Sequence, residues 1–128
     1  MLRLVALVSG LYDIVVGALL LLAAPQLAAL FGSRPVEPAV FADTNGLFLV
    51  CIGLGYWLPW RDPDRWRAYL WLMGPVLKFG GAALFVRDYW LRASPASFLL
   101  FAASDGALAA WTLWALLRER RVPARRAG

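Results

Sequence analysis

Four apolar runs constrain this chain before anything else does: Leu4 to Ala24, Val40 to Leu58, Trp66 to Val86 and Ser97 to Leu117. Each is about 20 residues long, and at about 1.5 Å of rise per residue a helix of that length crosses the ~30 Å hydrocarbon layer of a bilayer. Lipid offers the backbone no hydrogen-bonding partner, so only helices or closed barrels span it. A barrel strand needs about ten residues of alternating polarity, and stretches such as Gly17 to Ala24 do not alternate. The expected fold class is therefore all-α, an integral membrane four-helix bundle. Hydrophobic residues make up 62% of the 128, against about 45–50% in soluble domains, which points to lipid as the solvent.

The connections are short and carry turn residues: Gly32, Ser33, Arg34, Pro35 and Pro38, then Pro59 through Arg65, then Arg87 through Pro95. Short connections predict antiparallel sequential helices in a single transmembrane domain over residues 1–128. After Pro25 the segment Gln26 to Phe31 stays apolar. It either extends the first helix past a kink or lies at the interface. Arg3 ahead of an apolar stretch ending in Leu22, Ala23 and Ala24 also fits a secretory leader. Asp13 within that stretch, and a length beyond the ~7–15 residues of a leader core, favour a retained helix.

Arginine supplies nearly all the positive charge and flanks the apolar runs. Arg3, then Arg61, Arg65 and Arg67, then Arg118, Arg120, Arg121, Arg125 and Arg126 fall on one side, while Arg34, Arg87 and Arg92 fall on the other. The positive-inside rule then predicts both termini in the cytoplasm and a multi-pass cell-membrane location. Flanking charge of this kind anchors helices, and no nucleic-acid partner is expected. The C-terminal arginines set topology first and suit anionic lipid second. Tyr56, Trp57, Trp60, Trp66, Tyr69 and Trp71 gather at the inner boundary, with Tyr89 and Trp90 at the outer one. Trp111 and Trp114 read as part of the same interfacial belt.

With no histidine and one cysteine, the chain holds no imidazole or paired-thiolate metal site, and neither a cofactor nor a metal is expected. An intrachain disulfide is excluded, and Cys51 reads as a small buried hydrophobe. Chemistry is expected instead from ionisable groups inside the runs: Asp13, Asp43, Lys78 and Asp105. Each costs roughly 2.5–3.5 kcal/mol near a helix centre. Lys78 is the single lysine in a chain that otherwise uses arginine.

Counting rise from the span midpoints puts Lys78 and Asp105 both about 3 Å above the midplane, which predicts an ion pair between them. Asp13 falls near the midplane, and Asp43 and Asn45 nearer the outer surface. Gly74, Gly81 and Ala82 border Lys78, Gly10 and Gly17 border Asp13, and Ala102 and Ala109 border Asp105. Small neighbours mark tight helix contacts, so all three charges are expected to face inward. Gly74 and Pro75 should kink the third helix and widen the interior near Lys78. The candidate pocket is Asp13, Lys78, Asp105, Asp43 and Asn45, with Tyr12 as a packing residue pointing elsewhere. For Asp43, Thr44 and Asn45 the plainer roles are helix capping and headgroup contact.

Lys78 can neutralise one carboxylate, which leaves three readings of the buried charges: a network fixing the helices, a ligand or substrate site, or a proton path. The layout resembles the DoxX-like group of small four-helix membrane proteins. Its carriers are the Gly10 to Gly17 stretch with Tyr12 and Asp13, the Pro59 to Arg67 connection, Lys78 with Gly80 and Gly81, and Asp105-Gly106. More remotely it is similar to sterol-isomerase-like bundles. The first resemblance implies a bacterial cytoplasmic membrane. The second implies acid–base work on an apolar polycyclic or isoprenoid substrate, in sites that often use a histidine this chain lacks. The expected function is a polar intramembrane pocket binding a small lipophilic molecule or supporting a membrane partner, in contact with the lipid bilayer. The alternatives are an intramembrane acid–base enzyme on a lipid or isoprenoid, and proton or ion translocation. Translocation calls for a homo-oligomer, since the chain has no repeated halves for alternating access.

Overall fold

A computed structural model describes residues 1–119, and every described regular element is helical. Arg120, Arg121, Arg125 and Arg126 of the basic tail lie outside the described residues. Four rods are each long and apolar enough to cross a membrane: Leu2–Leu30, Val40–Arg61, Arg67–Arg92 and Ala96–Arg118. The first is one helix, α1 (Leu2–Leu30). The second joins α2 (Val40–Gly55) to α3 (Trp57–Arg61), and the third joins α4 (Arg67–Trp71) to α5 (Leu77–Arg92) through a π turn at Leu72–Val76. A 3₁₀ turn at Ala96–Phe98 leads into α6 (Leu99–Arg118) in the fourth.

Proline sets two of the interruptions, one in α1 and one at the π turn. Ala23 leaves helical geometry (φ −145°, ψ 33°) two residues before Pro25, and α1 then resumes to Leu30. Pro25 lacks an N–H and its ring crowds the carbonyl one turn back, so the helix yields there. The apolar segment after Pro25 is thus a bent continuation of α1. Pro75 sits within the π turn, together with Gly74, where a wider turn absorbs the missing donor. This is the interruption expected just before Lys78. α5 stops at Ala93, which is left-handed (φ 53°).

Apolar side chains point outward on every rod. Only 22–33% of the most apolar window of each rod is buried, and Leu22, Leu30, Leu91, Leu100 and Leu117 are all exposed. Cys51, expected to be buried, is also exposed. With so much apolar surface facing out, exposure carries no penalty for a small hydrophobic thiol in lipid-like surroundings.

Glycine builds the closest contact, between α1 and α2. A Cβ at Gly17 would lie 2.7 Å from the Gly46 carbonyl oxygen, and one at Gly53 would lie 2.7 Å from that of Gly10. The two helices therefore touch backbone to backbone and run antiparallel, the close approach that small residues permit. The π turn packs closely on α6, where a Cβ at Gly74 would lie 3.1 Å from the Thr112 Cβ.

One end of the bundle is tightly filled. Leu2, Val5, Ala6, Tyr56, Leu70, Ala115 and Leu116 form its buried cluster. There the Arg67 guanidinium donates to the Leu116 carbonyl, and the amino terminus meets Glu119 at 3.0 Å. Arg67, counted above as a flanking charge, is in fact buried and ties α4 to the last turn of α6. The Tyr69 hydroxyl donates to the Ile52 carbonyl at 2.5 Å, joining α4 to α2. Beyond this end α2 and α5 have no extended backbone contact, and α1 and α6 carry the packing. The second and third rods are thus neighbours only where they connect, which departs from the expected lengthwise antiparallel packing. Their intervening face is left open.

The glycine contact yields a paired test. Gly17→Ala should destabilise the protein by about 1–3 kcal/mol through overpacking against backbone. Gly80, with nothing within 4 Å of an added Cβ, should accept the same change with unchanged or slightly raised stability. Thermal unfolding in detergent measures both, and equal responses would refute backbone contact at Gly17.

Candidate functional site

The hollow left by the unpacked α2 and α5 is a cavity of about 620 Å³. α1 lines it with Tyr12, Asp13, Val16 and Leu20, and the bent continuation adds Leu27, Ala28 and Phe31. α2 contributes Asn45, Phe48, Leu49 and Ile52; α5 contributes Leu77, Lys78, Gly81 and Phe85; Phe101 and Asp105 come from α6. Ser33, Arg34 and Val36 line it at the loop after α1. The walls are apolar, and the charges other than Arg34 collect at one place.

That place joins three helices. The Lys78 ammonium donates to Asp13 Oδ1 at 2.6 Å and stands 3.9 Å from Asp105 Oδ1. It also lies 5.0 Å from the centre of the Tyr12 ring, within reach of a cation–π attraction. Side-chain exposure is 4% for Lys78 and 2% for Asp13 but 19% for Asp105, so Asp105 is the member open to the cavity. The ion pair expected between Lys78 and Asp105 is present at 3.9 Å, and Asp13 is the tighter partner, which equal-depth counting did not indicate. Depth counting treats each helix as an ideal rod. The π turn immediately before Lys78 alters the rotation of all that follows, which an ideal rod does not contain.

Of the residues singled out from the sequence, the structure brings Asp13, Lys78, Asp105 and Asn45 to one cavity. Asp43 is not among the lining residues and is exposed in the first turn of α2. Two positions along a helix turn the side chain by about 200°, so Asp43 and Asn45 face opposite ways. A carboxylate in a first turn complements the helix dipole, and no side chain caps α2 by hydrogen bond.

Tyr12 does not point elsewhere: it lines the cavity, and its hydroxyl is 2.6 Å from Ser104 Oγ. Ser104 Oγ also lies 3.1 Å from the Phe101 carbonyl, to which its hydroxyl can donate. The cavity subtends enough of α1 for two consecutive residues to reach it. A cluster of phenylalanines was also not anticipated. Phe31 and Phe101 stack at 4.8 Å between ring centres, Phe85 and Phe101 at 5.4 Å, and Phe98 adjoins them. The spacing of Phe98 and Phe101 on one helical face was the available signal. Ser97 donates to the Phe31 carbonyl and fastens the bent end of α1 to the 3₁₀ turn that leads into α6.

Below the triad, toward the filled end, Asp13 Oδ2, Ser9 Oγ and the Tyr56 hydroxyl are buried with no hydrogen-bond partner among the described residues. No group of three His, Cys, Asp or Glu positioned to hold a metal occurs among the described residues. The arrangement suits non-covalent recognition of a polar group whose remaining surface is apolar.

The geometry predicts an asymmetry on mutation. Lys78→Met strands the buried Asp13 carboxylate and should destabilise by about 3–5 kcal/mol. Asp13→Leu should cost less, because Asp105 remains as a partner for Lys78, and Lys78→Met with Asp13→Leu should recover most of the loss. Melting temperatures of the three variants measure this, and a double variant no better than Lys78→Met would contradict the pairing. Comparison with profiles of protein families, with curated proteins and with solved structures finds no match to this chain.

Proposed function

We propose that this chain is a multi-pass membrane protein whose cavity binds a small lipophilic molecule, with the molecule's polar end against Asp13, Lys78 and Asp105. The observation that carries this reading is an apolar-walled cavity of about 620 Å³ ending on buried charges. Ionisable groups at membrane depth are costly, and a network serving packing alone has no need of an adjoining chamber. The volume falls within the ~300–1,000 Å³ typical of small-molecule sites.

The exposed apolar rods support residence in a bilayer, and the arginine distribution supports cytoplasmic termini. In that orientation the filled end faces the cytoplasm, and the loop with Ser33 and Arg34 faces the opposite side. The DoxX-like layout supports a bacterial cytoplasmic membrane. A lipophilic molecule has a route from the bilayer through the open face between α2 and α5, where Phe48, Leu49 and Leu77 line the cavity.

Native mass spectrometry of the protein released from lipid nanodiscs tests this reading. The wild-type chain should carry a bound lipophilic molecule, and Val16→Trp, which fills the cavity from its α1 wall, should lose it while keeping its helical circular dichroism. Equal occupancy in both proteins, or none in the wild type, would overturn the reading.

A further inference from the structure

We propose that the molecule held in the cavity is a long-chain amine whose ammonium pairs with Asp105. The inference rests on the cavity being a ligand site and adds the chemistry of the ligand's polar end. Charge count is the first ground. Two carboxylates and one ammonium meet at the floor, while Arg34 belongs to the loop after α1 rather than to the floor. One carboxylate there has no counter-charge.

Geometry decides which one. Asp13 holds the 2.6 Å bond to Lys78, and at 3.9 Å the Asp105 oxygen is beyond the ~2.7–3.2 Å of a hydrogen bond. The Tyr12 hydroxyl, bonded to Ser104, is also within reach of Asp105, but it brings no charge. Asp105 is therefore the carboxylate in the floor without a close counter-charge, and it is the exposed member of the triad. A ligand that brings both positive charge and N–H donors completes it. A neutral alcohol supplies a donor without the charge, and a carboxylate supplies neither and is repelled.

Space beside Asp105 is the second ground. Gly81 lines the cavity, and a Cβ built there would lie 3.4 Å from Asp105 Oδ2. A methyl just fits, while a branched side chain would occupy the space against the carboxylate. Absence of a side chain at Gly81 thus leaves the approach to Asp105 clear. The walls beyond it, Leu77, Phe85 and Phe101, suit a hydrocarbon chain.

Binding of a long-chain primary alkylamine, and of the alcohol and the carboxylate of equal chain length, is measured by equilibrium titration into phosphatidylcholine nanodiscs holding the full chain, with empty nanodiscs subtracted. The amine should bind about tenfold or more tightly than the alcohol, because only the amine adds a charge to the hydrogen bond it donates. Asp105→Asn should remove that preference by weakening amine binding to the level of the alcohol. Gly81→Val should abolish amine binding, and Gly80→Val, with open space beside it, should leave it intact. Equal affinity for the three probes, or an amine preference that survives Asp105→Asn, would overturn the assignment while leaving the cavity a ligand site. Failure of all three probes to bind would overturn the ligand site as well.

Discussion

The bond between Lys78 and Asp13 is the constraint around which the rest of the structure is arranged. It joins α5 to α1, two helices that have no extended backbone contact with each other. Both side chains are almost completely buried, so loss of Lys78 would strand the Asp13 carboxylate. The bond therefore fixes how far α5 can move from α1. With α6 packed against both, it closes the floor of the cavity and prevents the bundle from collapsing onto it.

Two kinds of packing keep the cavity open. At the filled end, the apolar cluster and Arg67 on the Leu116 carbonyl hold all four rods together. Higher up, the paired glycines bring α1 and α2 into backbone contact, while α5 follows α6 instead of α2. The bundle is thus split lengthwise into two pairs that are joined at one end and separated at the other. The bend at Ala23 carries the last turns of α1 over the separated end, where Phe31 packs on Phe101.

Composition and run length were enough for the all-α class and for four rods, because lipid leaves the backbone few alternatives. Single inward charges were also readable, since Asp13, Lys78 and Asp105 stand out against apolar neighbours bordered by glycine and alanine. What depends on rotation about a helix axis was not. The preference of Lys78 for Asp13 follows a π turn, and the outward placement of Asp43 follows from where α2 faces. Tyr12 gave no warning and the phenylalanines only the spacing of Phe98 and Phe101, because aromatic residues in an apolar run look the same whether they face lipid or a cavity. Arg67 was hidden for the opposite reason: a buried carbonyl cap and a flanking surface charge use the same residue at the same boundary.

The central claim is that the charged floor belongs to a chamber that a small molecule can enter. Asp105→Cys in a Cys51→Ser background places one thiol at that floor and leaves the Lys78–Asp13 bond in place. A small thiosulfonate added to the protein in detergent should modify it, and Val16→Trp, which fills the cavity, should slow that modification. No modification, or a rate unchanged by Val16→Trp, would contradict a chamber ending on that floor.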